Sequence, residues 1–186
     1  ASCVSSITYL NGEEGILRYR GYPIDYLAEN FKFINVAHLL IYGHLPDNAE
    51  QEAFSRAFTR HSMIHEDMKN FFNGYPSSGH PMGILSAMVC SMAGYYPEFI
   101  RSEPSKEELD QIYIELLSKV RTIAAFSYKK SIGEPFVYPR ADLRYVTNFL
   151  NMMFSAPSRD YKTAQETVDA LEAFLILHAD HEQNCS

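Results

Sequence analysis

The chain has 186 residues, of which 46% are apolar and 21% charged, a balance typical of globular rather than disordered proteins. Its formal net charge of −7 argues against a nucleic-acid-binding or anionic-membrane surface, because both require clustered Lys and Arg side chains. No signal peptide is recognisable, and no apolar run reaches the roughly 18 residues that a membrane helix requires, so we expect no membrane partner.

The N-terminus has the composition of β-strands. Residues 6–10 and 16–20 are rich in β-branched and aromatic side chains, and Asn11-Gly12 stands between them. An Asn-Gly pair between two such runs is a strong signal for a hairpin. We therefore predict a β-hairpin segment over residues 1–23 and a helical domain over residues 24–186.

Helical periodicity takes over after Pro23. Pro81 suits a first helical position, while Ser105-x-x-Glu108 and Thr163-x-x-Glu166 have the pattern of capping boxes. The helices at 81–95 and 143–154 are apolar on all sides, which indicates a multi-helix core and an all-α fold class. The predicted helices cover residues 24–29, 35–42, 47–61, 66–73, 81–95, 106–130 and 143–154, with a last helix from about 163 to 177.

The three cysteines point to a reducing compartment. Cys3, Cys90 and Cys185 are far apart and form no CxxC motif, so they indicate neither a zinc site nor a redox pair. Cys90 lies in an apolar segment, where we expect a buried free thiol. We accordingly predict a cytoplasmic protein, although a targeting segment ahead of residue 1 remains an open alternative.

Two histidines and two carboxylates follow the last helix, in the segment His178-Ala179-Asp180-His181-Glu182. On a helix, His178 and His181 would project from one face, and imidazole is well suited to polarise a carbonyl or bind a carboxylate. A metal site of the HExxH type needs an i, i+4 pair and a third ligand, so we predict no metal here. The structural alternative is one buried, hydrogen-bonded His beside solvated acids.

Two further segments carry weaker signals. Basic groups in Arg60–Glu66 join the end of one helix to the next, where they either complement the helix dipole or bind an anion. Residues 131–140 contain two prolines and a glycine, and we interpret them as a packed connection with Arg140 exposed. No phosphate-binding glycine loop, nucleophile elbow or dinucleotide fingerprint is present.

Taken together, several segments resemble the citrate synthase family, in the same order along the whole chain and in a form similar to the bacterial hexameric type II branch. They are Ile16–Ile24, Arg60–Glu66, His80–Met82, Tyr128–Phe136, Asn148–Phe154 and Leu177–Asn184. The resemblance implies a mainly α-helical two-domain enzyme that condenses oxaloacetate with acetyl-CoA to give citrate and CoA. It implies that the enzyme needs no cofactor, since acetyl-CoA is a substrate. It also implies a homo-oligomer, either a dimer or a hexamer-type assembly of dimers.

The resemblance also assigns site residues. His181 corresponds to the family's histidine that hydrogen-bonds oxaloacetate and polarises its ketone, while Asn184 and Ser186 fall in the turn that lines this site. His178 would orient the group from behind. The family's general-base Asp and its enol-stabilising His have no counterpart up to Ser186. We therefore expect a fragment of the large domain, without the small domain and inactive alone.

An inhibitory NADH site of some type II enzymes is only partly matched. Arg60 and His61 correspond to its basic pair, and Tyr96 and Lys119 to two further members. Glu115 stands where the family has an arginine, and a carboxylate repels a nucleotide phosphate. The sequence therefore predicts a protein that NADH does not inhibit.

Two other functions stay open. A 2-methylcitrate synthase would use propionyl-CoA with the same fold and oxaloacetate site, and the acyl pocket lies mostly beyond these residues. A non-catalytic helical interaction module would explain the strongly apolar helices at 81–95 and 143–154 without chemistry. The resemblance to the type II branch favours acetyl-CoA.

Overall fold

The computed structural model describes residues 5–180, and helices dominate that part of the chain. The predicted all-α class with a small β element is confirmed. The α-helices are α1 Ile24–Asn30, α2 Phe33–Tyr42, α3 Asn48–Arg60, α4 Met68–Gly74, α5 Pro81–Ser91, α6 Lys106–Ser131, α7 Tyr145–Phe154 and α8 Gln165–Leu177, with 3₁₀ turns at Met92–Gly94 and Pro97–Ile100.

A three-stranded antiparallel sheet precedes the helices. Its strands are β1 Thr8–Asn11, β2 Ile16–Tyr19 and β3 Tyr22–Pro23, in the order β1-β2-β3. Thr8 lies opposite Tyr19 in the β1–β2 register, so the predicted hairpin is confirmed. The two-residue β3 was not predicted. The tight turn before it places Gly21 at φ 89°, a left-handed conformation that glycine adopts at little cost.

The chain divides into two compact units. The first comprises residues 1–55 and 164–186, and the second comprises residues 56–163. In the first unit the sheet and helices share one core, formed by Tyr19, Leu27, Val36, Leu39 and Ile176. The predicted division at residue 23 stays a prediction.

The second unit is built around α6. Its core consists of Ile64, Met68, Phe72, Ile84, Met88, Met92, Ile123 and Phe126. Phe136 stacks on Phe126 with ring centroids 4.5 Å apart, so the 131–140 connection packs as predicted. Arg140 is exposed, also as predicted, and pairs with Asp142.

A buried lysine closes the C-terminal end of α6. The side chain of Lys129 is 0% exposed, and its ammonium pairs with Glu134 and donates to the main-chain oxygen of Ser155 at 2.6 Å. Burial of an unpaired ammonium would cost on the order of several kcal/mol, because the ion loses its hydration. The ion pair and the carbonyl therefore keep this charge in place and join the end of α7 to α6.

The capping interactions confirm one predicted helix start and contradict another. Ser105 Oγ accepts from the Glu108 amide at 3.2 Å, and the Ser105 amide donates to the Glu108 carboxylate at 2.8 Å, a reciprocal capping box as predicted. The box predicted at Thr163 is wrong, because α8 begins after Ala164, which makes no side-chain cap.

Two predictions about helix α5 are wrong, namely its end and the burial of Cys90. Pro81 does occupy its first turn, but the α-helix ends at Ser91 rather than near residue 95. It buries Ile84 and Met88 on one side only, so Cys90 on the other side is exposed and not buried. By contrast α7 has no exposed position. Within residues 5–180 no helix combines the length and apolar character needed to cross a bilayer.

Candidate active site

The segment that leads into the predicted catalytic histidine follows α8 directly. The helix ends at Leu177, and His178 is its C-cap with φ −109° and ψ 8°. The imidazole stacks on Phe174, with centroids 4.2 Å apart, and its Nδ1 donates to the Phe174 carbonyl at 2.8 Å. The helix α8 thus ends before His178, and since His181 lies outside the described residues, a shared helical face of the two histidines stays a prediction.

The other predicted substrate-binding residues are His181, Asn184 and Ser186, and they lie outside the described part of the chain, residues 5–180. Their roles stay predictions. His178 is exposed, with its Nδ1 directed back to α8.

The residue before His181 is held by the sheet. The Tyr19 hydroxyl lies 2.8 Å from the main-chain oxygen of Asp180 and 3.1 Å from that of Ile176. It also accepts a hydrogen bond from the Asp180 amide at 3.2 Å. Thr8 Oγ1 donates to the Asp180 carboxylate. Sequence reasoning missed both Tyr19 and Thr8, since they stand more than 160 positions before their partner.

Electrostatics keeps the Tyr19 hydroxyl protonated. Burial raises the pKa of Tyr19, and the Asp180 carboxylate raises it further, while the hydrogen bond to the Asp180 backbone lowers it in part. A neutral hydroxyl can donate and accept at once. Tyr19 therefore bonds to both main-chain polar groups of one residue, Asp180, from within the core.

A cleft in the first unit does not suit an anionic ligand. It is lined by the end of α1, the two residues that follow it, and Asp169 and Glu172 of α8, and encloses about 340 Å³. Lys32 already pairs with Asp169 at 2.6 Å, and the Glu172 carboxylate accepts from the Phe33 amide at 2.6 Å. With Glu29, the cleft places three carboxylates against one ammonium, which would repel a dicarboxylate.

The second unit brings together three of the four residues matched to the NADH site. The Lys119 ammonium donates to the His61 carbonyl at 3.1 Å and lies 4.7 Å above the Tyr96 ring. Tyr96 in turn accepts from the His65 amide at 2.7 Å. Arg60 is exposed at the last position of α3.

Glu115 lies at the centre of this cluster. Its carboxylate is 3.3 Å from both Lys119 Nζ and His61 Nδ1, and it accepts from Gln111 at 2.8 Å. Glu115 and Lys119 are 6% and 4% exposed. The positive charge that would hold a phosphate is thus already paired inside the protein.

Among residues 5–180, one group of side chains could offer three metal ligands within 4.8 Å of one another: His38, His44 and Glu50. Each already has a protein partner. His38 Nδ1 donates to the His44 carbonyl at 3.1 Å, and His44 Nε2 lies 3.1 Å from Glu50, which also accepts from the Asp47 amide. These bonds join the end of α2 to the start of α3, so the cluster has a structural role.

The comparisons with known proteins agree with this fold. The family model described as "Citrate synthase, C-terminal domain" matches residues 1–186. Citrate synthase 1 of Mycobacterium tuberculosis is 50% identical over 186 residues, which are 100% of this chain and 43% of that protein. The chain therefore spans less than half the length of this relative.

Solved structures give the same result. Citrate synthase from Pyrobaculum aerophilum is 33% identical with a TM-score of 0.84, over 97% of this chain and 45% of that one. The enzyme from Thermotoga maritima is 31% identical with a TM-score of 0.80, over 98% and 45%. A ternary complex of citrate synthase from Thermoplasma acidophilum with carboxymethyl coenzyme A and oxaloacetate shares the fold at 24% identity, with a TM-score of 0.87 over 98% and 46%. The chain belongs to the citrate synthase family.

Proposed function

We propose that the intact protein containing this chain condenses oxaloacetate with acetyl-CoA and water to give citrate and CoA. The observation that carries this proposal is the 50% identity over every position of the chain to citrate synthase 1 of Mycobacterium tuberculosis. The complex of the Thermoplasma enzyme with oxaloacetate and a CoA analogue supports the same two substrates.

In this proposal His181 donates a hydrogen bond to the ketone oxygen of oxaloacetate. Charge develops on that oxygen as the new carbon–carbon bond forms, and an oriented donor there is commonly the largest single catalytic term. Asn184 and Ser186 line the same site, and His178 supports it from the end of α8. The reaction needs no bound cofactor, because acetyl-CoA is consumed.

The test is release of CoA thiol by the intact protein, measured with each substrate omitted in turn. We expect release only when both substrates are present, and faster turnover with acetyl-CoA than with propionyl-CoA. Faster turnover with propionyl-CoA would instead identify a 2-methylcitrate synthase. No release with either acyl-CoA would favour the remaining alternative, a non-catalytic helical interaction module.

Replacement of His181 tests the assigned role. His181→Ala should lower turnover by about 100-fold or more and raise the oxaloacetate requirement, since loss of one oxyanion donor costs about 10²–10³ in kcat. His44→Gln is the matched control, because His44 is exposed and bonded to Glu50. An unchanged rate in His181→Ala would contradict the role.

We further propose a type II homo-oligomer located in the cytoplasm. This proposal rests on the similarity of the segments Arg60–Glu66, Tyr128–Phe136 and Leu177–Asn184 to the type II branch. Light scattering of the intact protein would give the mass, and a monomer would contradict the proposed assembly.

A further inference from the structure

We infer that Tyr19 is a positioning residue for the active site: together with Thr8 it fixes the main chain at Asp180, one peptide bond before His181. The inference rests on the proposed function, because it assigns Tyr19 a role in placing the imidazole that polarises oxaloacetate. Tyr19 touches no substrate and acts through the backbone.

The hydroxyl holds one residue from both sides. It accepts from the Asp180 amide at 3.2 Å and shares its proton between the Asp180 carbonyl at 2.8 Å and the Ile176 carbonyl at 3.1 Å. Contact with both the N–H and the C=O of one residue restricts its φ and ψ. The backbone of Asp180 is thereby oriented.

Tyr19 is itself anchored firmly. Its side chain is 0% exposed and packs in the core with Leu27, Val36, Leu39 and Ile176. Core side chains at native packing density have little room to move. Ile176 lies on α8, so the ring and the hydroxyl contact the same helix that delivers the site segment.

The sheet supplies a second point of attachment. Thr8 on β1 lies directly opposite Tyr19 on β2. Side chains of directly opposed residues stand on the same face of an antiparallel pair. Both therefore reach Asp180, where Thr8 donates to the carboxylate while Tyr19 bonds to the main chain. The hairpin thus connects to the site through two separate side chains.

Tyr19 contributes through the geometry of the site and not through substrate binding. A displacement of about 1 Å in a catalytic group can cost roughly 100-fold in rate. A residue held only by its helix would be free to shift at a helix end. At the end of α8 the amides of His178 and Ala179 still donate to the carbonyl oxygens of Phe174 and Ile176, whereas the Asp180 amide donates to the Tyr19 hydroxyl. Tyr19 therefore continues the hydrogen bonding of the backbone past the end of the helix.

The experiment compares Tyr19→Phe with Val36→Ala in the intact protein. Tyr19→Phe removes only the hydroxyl, whereas Val36→Ala disturbs the same core without touching Asp180. Both should lower Tm. We expect Tyr19→Phe alone to lower kcat by about tenfold or more and to raise the oxaloacetate KM, at a temperature well below both midpoints. Equal kinetic constants in the two variants would overturn the inference.

A second measurement does not depend on activity. Hydrogen–deuterium exchange of the peptide that covers residues 178–186 should speed up in Tyr19→Phe and stay at the wild-type rate in Val36→Ala. If the wild-type protein shows no condensation, the proposed function fails, and this exchange difference still decides whether Tyr19 positions the segment. Equal exchange in both variants would then overturn it.

Thr8→Val provides a variant that keeps the hydrophobic core intact. It removes the bond to the Asp180 carboxylate and conserves the shape of the side chain. We expect a smaller change in the same direction, a few-fold in kcat, because Tyr19 still bonds to the main chain of Asp180 in this variant. Should Tyr19→Phe fail to fold, wild-type kinetics in Thr8→Val would overturn the inference.

Discussion

Buried polar groups hold the chain in both units, but they do so by different means. In the first unit the neutral hydroxyl of Tyr19 bonds to the main chain at Asp180. In the second unit Glu115 pairs with the side chains of Lys119 and His61. A hydroxyl on a peptide group fixes where the backbone runs. A charge network instead satisfies its own members and leaves little charge for a ligand.

The two arrangements also differ in what burial costs. A hydroxyl loses little on transfer to a core once it is hydrogen-bonded. Two ions lose far more, and their attraction often does no better than a well-packed apolar pair. Glu115 and Lys119 are both more than nine-tenths buried. We therefore expect the network to contribute little net stability while being sensitive to the loss of any one member.

Breaking the charged arrangement should have the largest effect. Glu115→Ala leaves Lys119 buried without its carboxylate, and removal of one partner from a buried pair costs about 3–5 kcal/mol. Urea denaturation of the intact protein measures this change. Glu107→Ala, an exposed carboxylate in the first turn of the same helix, is the control and should cost under about 1 kcal/mol.

A loss in Glu115→Ala as small as that of the control would show that Lys119 gains other partners or water when the carboxylate is removed. The difference between the two units would then be one of chemistry alone and not of energetic sensitivity.

An exposed pair in the first unit should have a smaller effect that depends on pH. The hydrogen bond with Glu50 raises the pKa of His44 above 6.5, and the Asp47 amide followed by His44 lowers the pKa of Glu50 below 4.5. The contribution of His44 is fully present below pH 6.5 and is lost as pH rises through its raised pKa. The contribution of Glu50 is present above pH 4.5 and is lost as pH falls through its lowered pKa.

The pair therefore stabilises the protein most between pH 4.5 and 6.5. His44→Gln should lower Tm in this window and approach the wild-type Tm at higher pH. Glu50→Gln should remove the same pH-dependent difference. A Tm difference that stays constant as pH rises would contradict the ion pair.

The smallest expected effect is that of NADH on the proposed condensation. We expect no inhibition, because the Glu115 carboxylate pairs with Lys119, lies 3.3 Å from His61 Nδ1 and would repel a phosphate. Initial rates with and without excess NADH measure this directly. A fall in rate would show that the exposed Arg60 and its neighbours bind the nucleotide despite Glu115. NADPH is a suitable second ligand, since it differs by one phosphate.

Local rules predicted much of the fold. The Asn11-Gly12 pair gave the hairpin, Pro81 gave the start of α5, and Ser105 with Glu108 gave the start of α6. Each signal depends on residues within a few positions of one another. Such short-range chemistry operates in much the same way whatever surrounds it.

The failures come from tertiary context. Thr163 has the right spacing for a cap, yet the chain enters α8 at Ala164. Cys90 lies in an apolar run, yet α5 buries only one side. His178 is one residue past a helix end that periodicity cannot locate. None of these outcomes is determined by the neighbouring residues in the sequence alone.

The candidate site was predictable only through resemblance. The resemblance grouped His61, Tyr96 and Lys119, and the structure brings them together around Glu115. It gave no indication of Tyr19, because nothing in the hairpin sequence predicts a hydrogen bond to a residue 161 positions later. Long-range polar contacts of this kind become visible only in the folded structure.

The buried ammonium at the end of α6 has a consequence for chemical labelling. Lys129 is enclosed and ion-paired with Glu134. Acylation by a thioester requires both access to the amine and loss of its proton. If the protein acts on acetyl-CoA as proposed, spontaneous acylation should occur on its surface amines and spare Lys129. Acylation of Lys129 would then show that the second unit had opened.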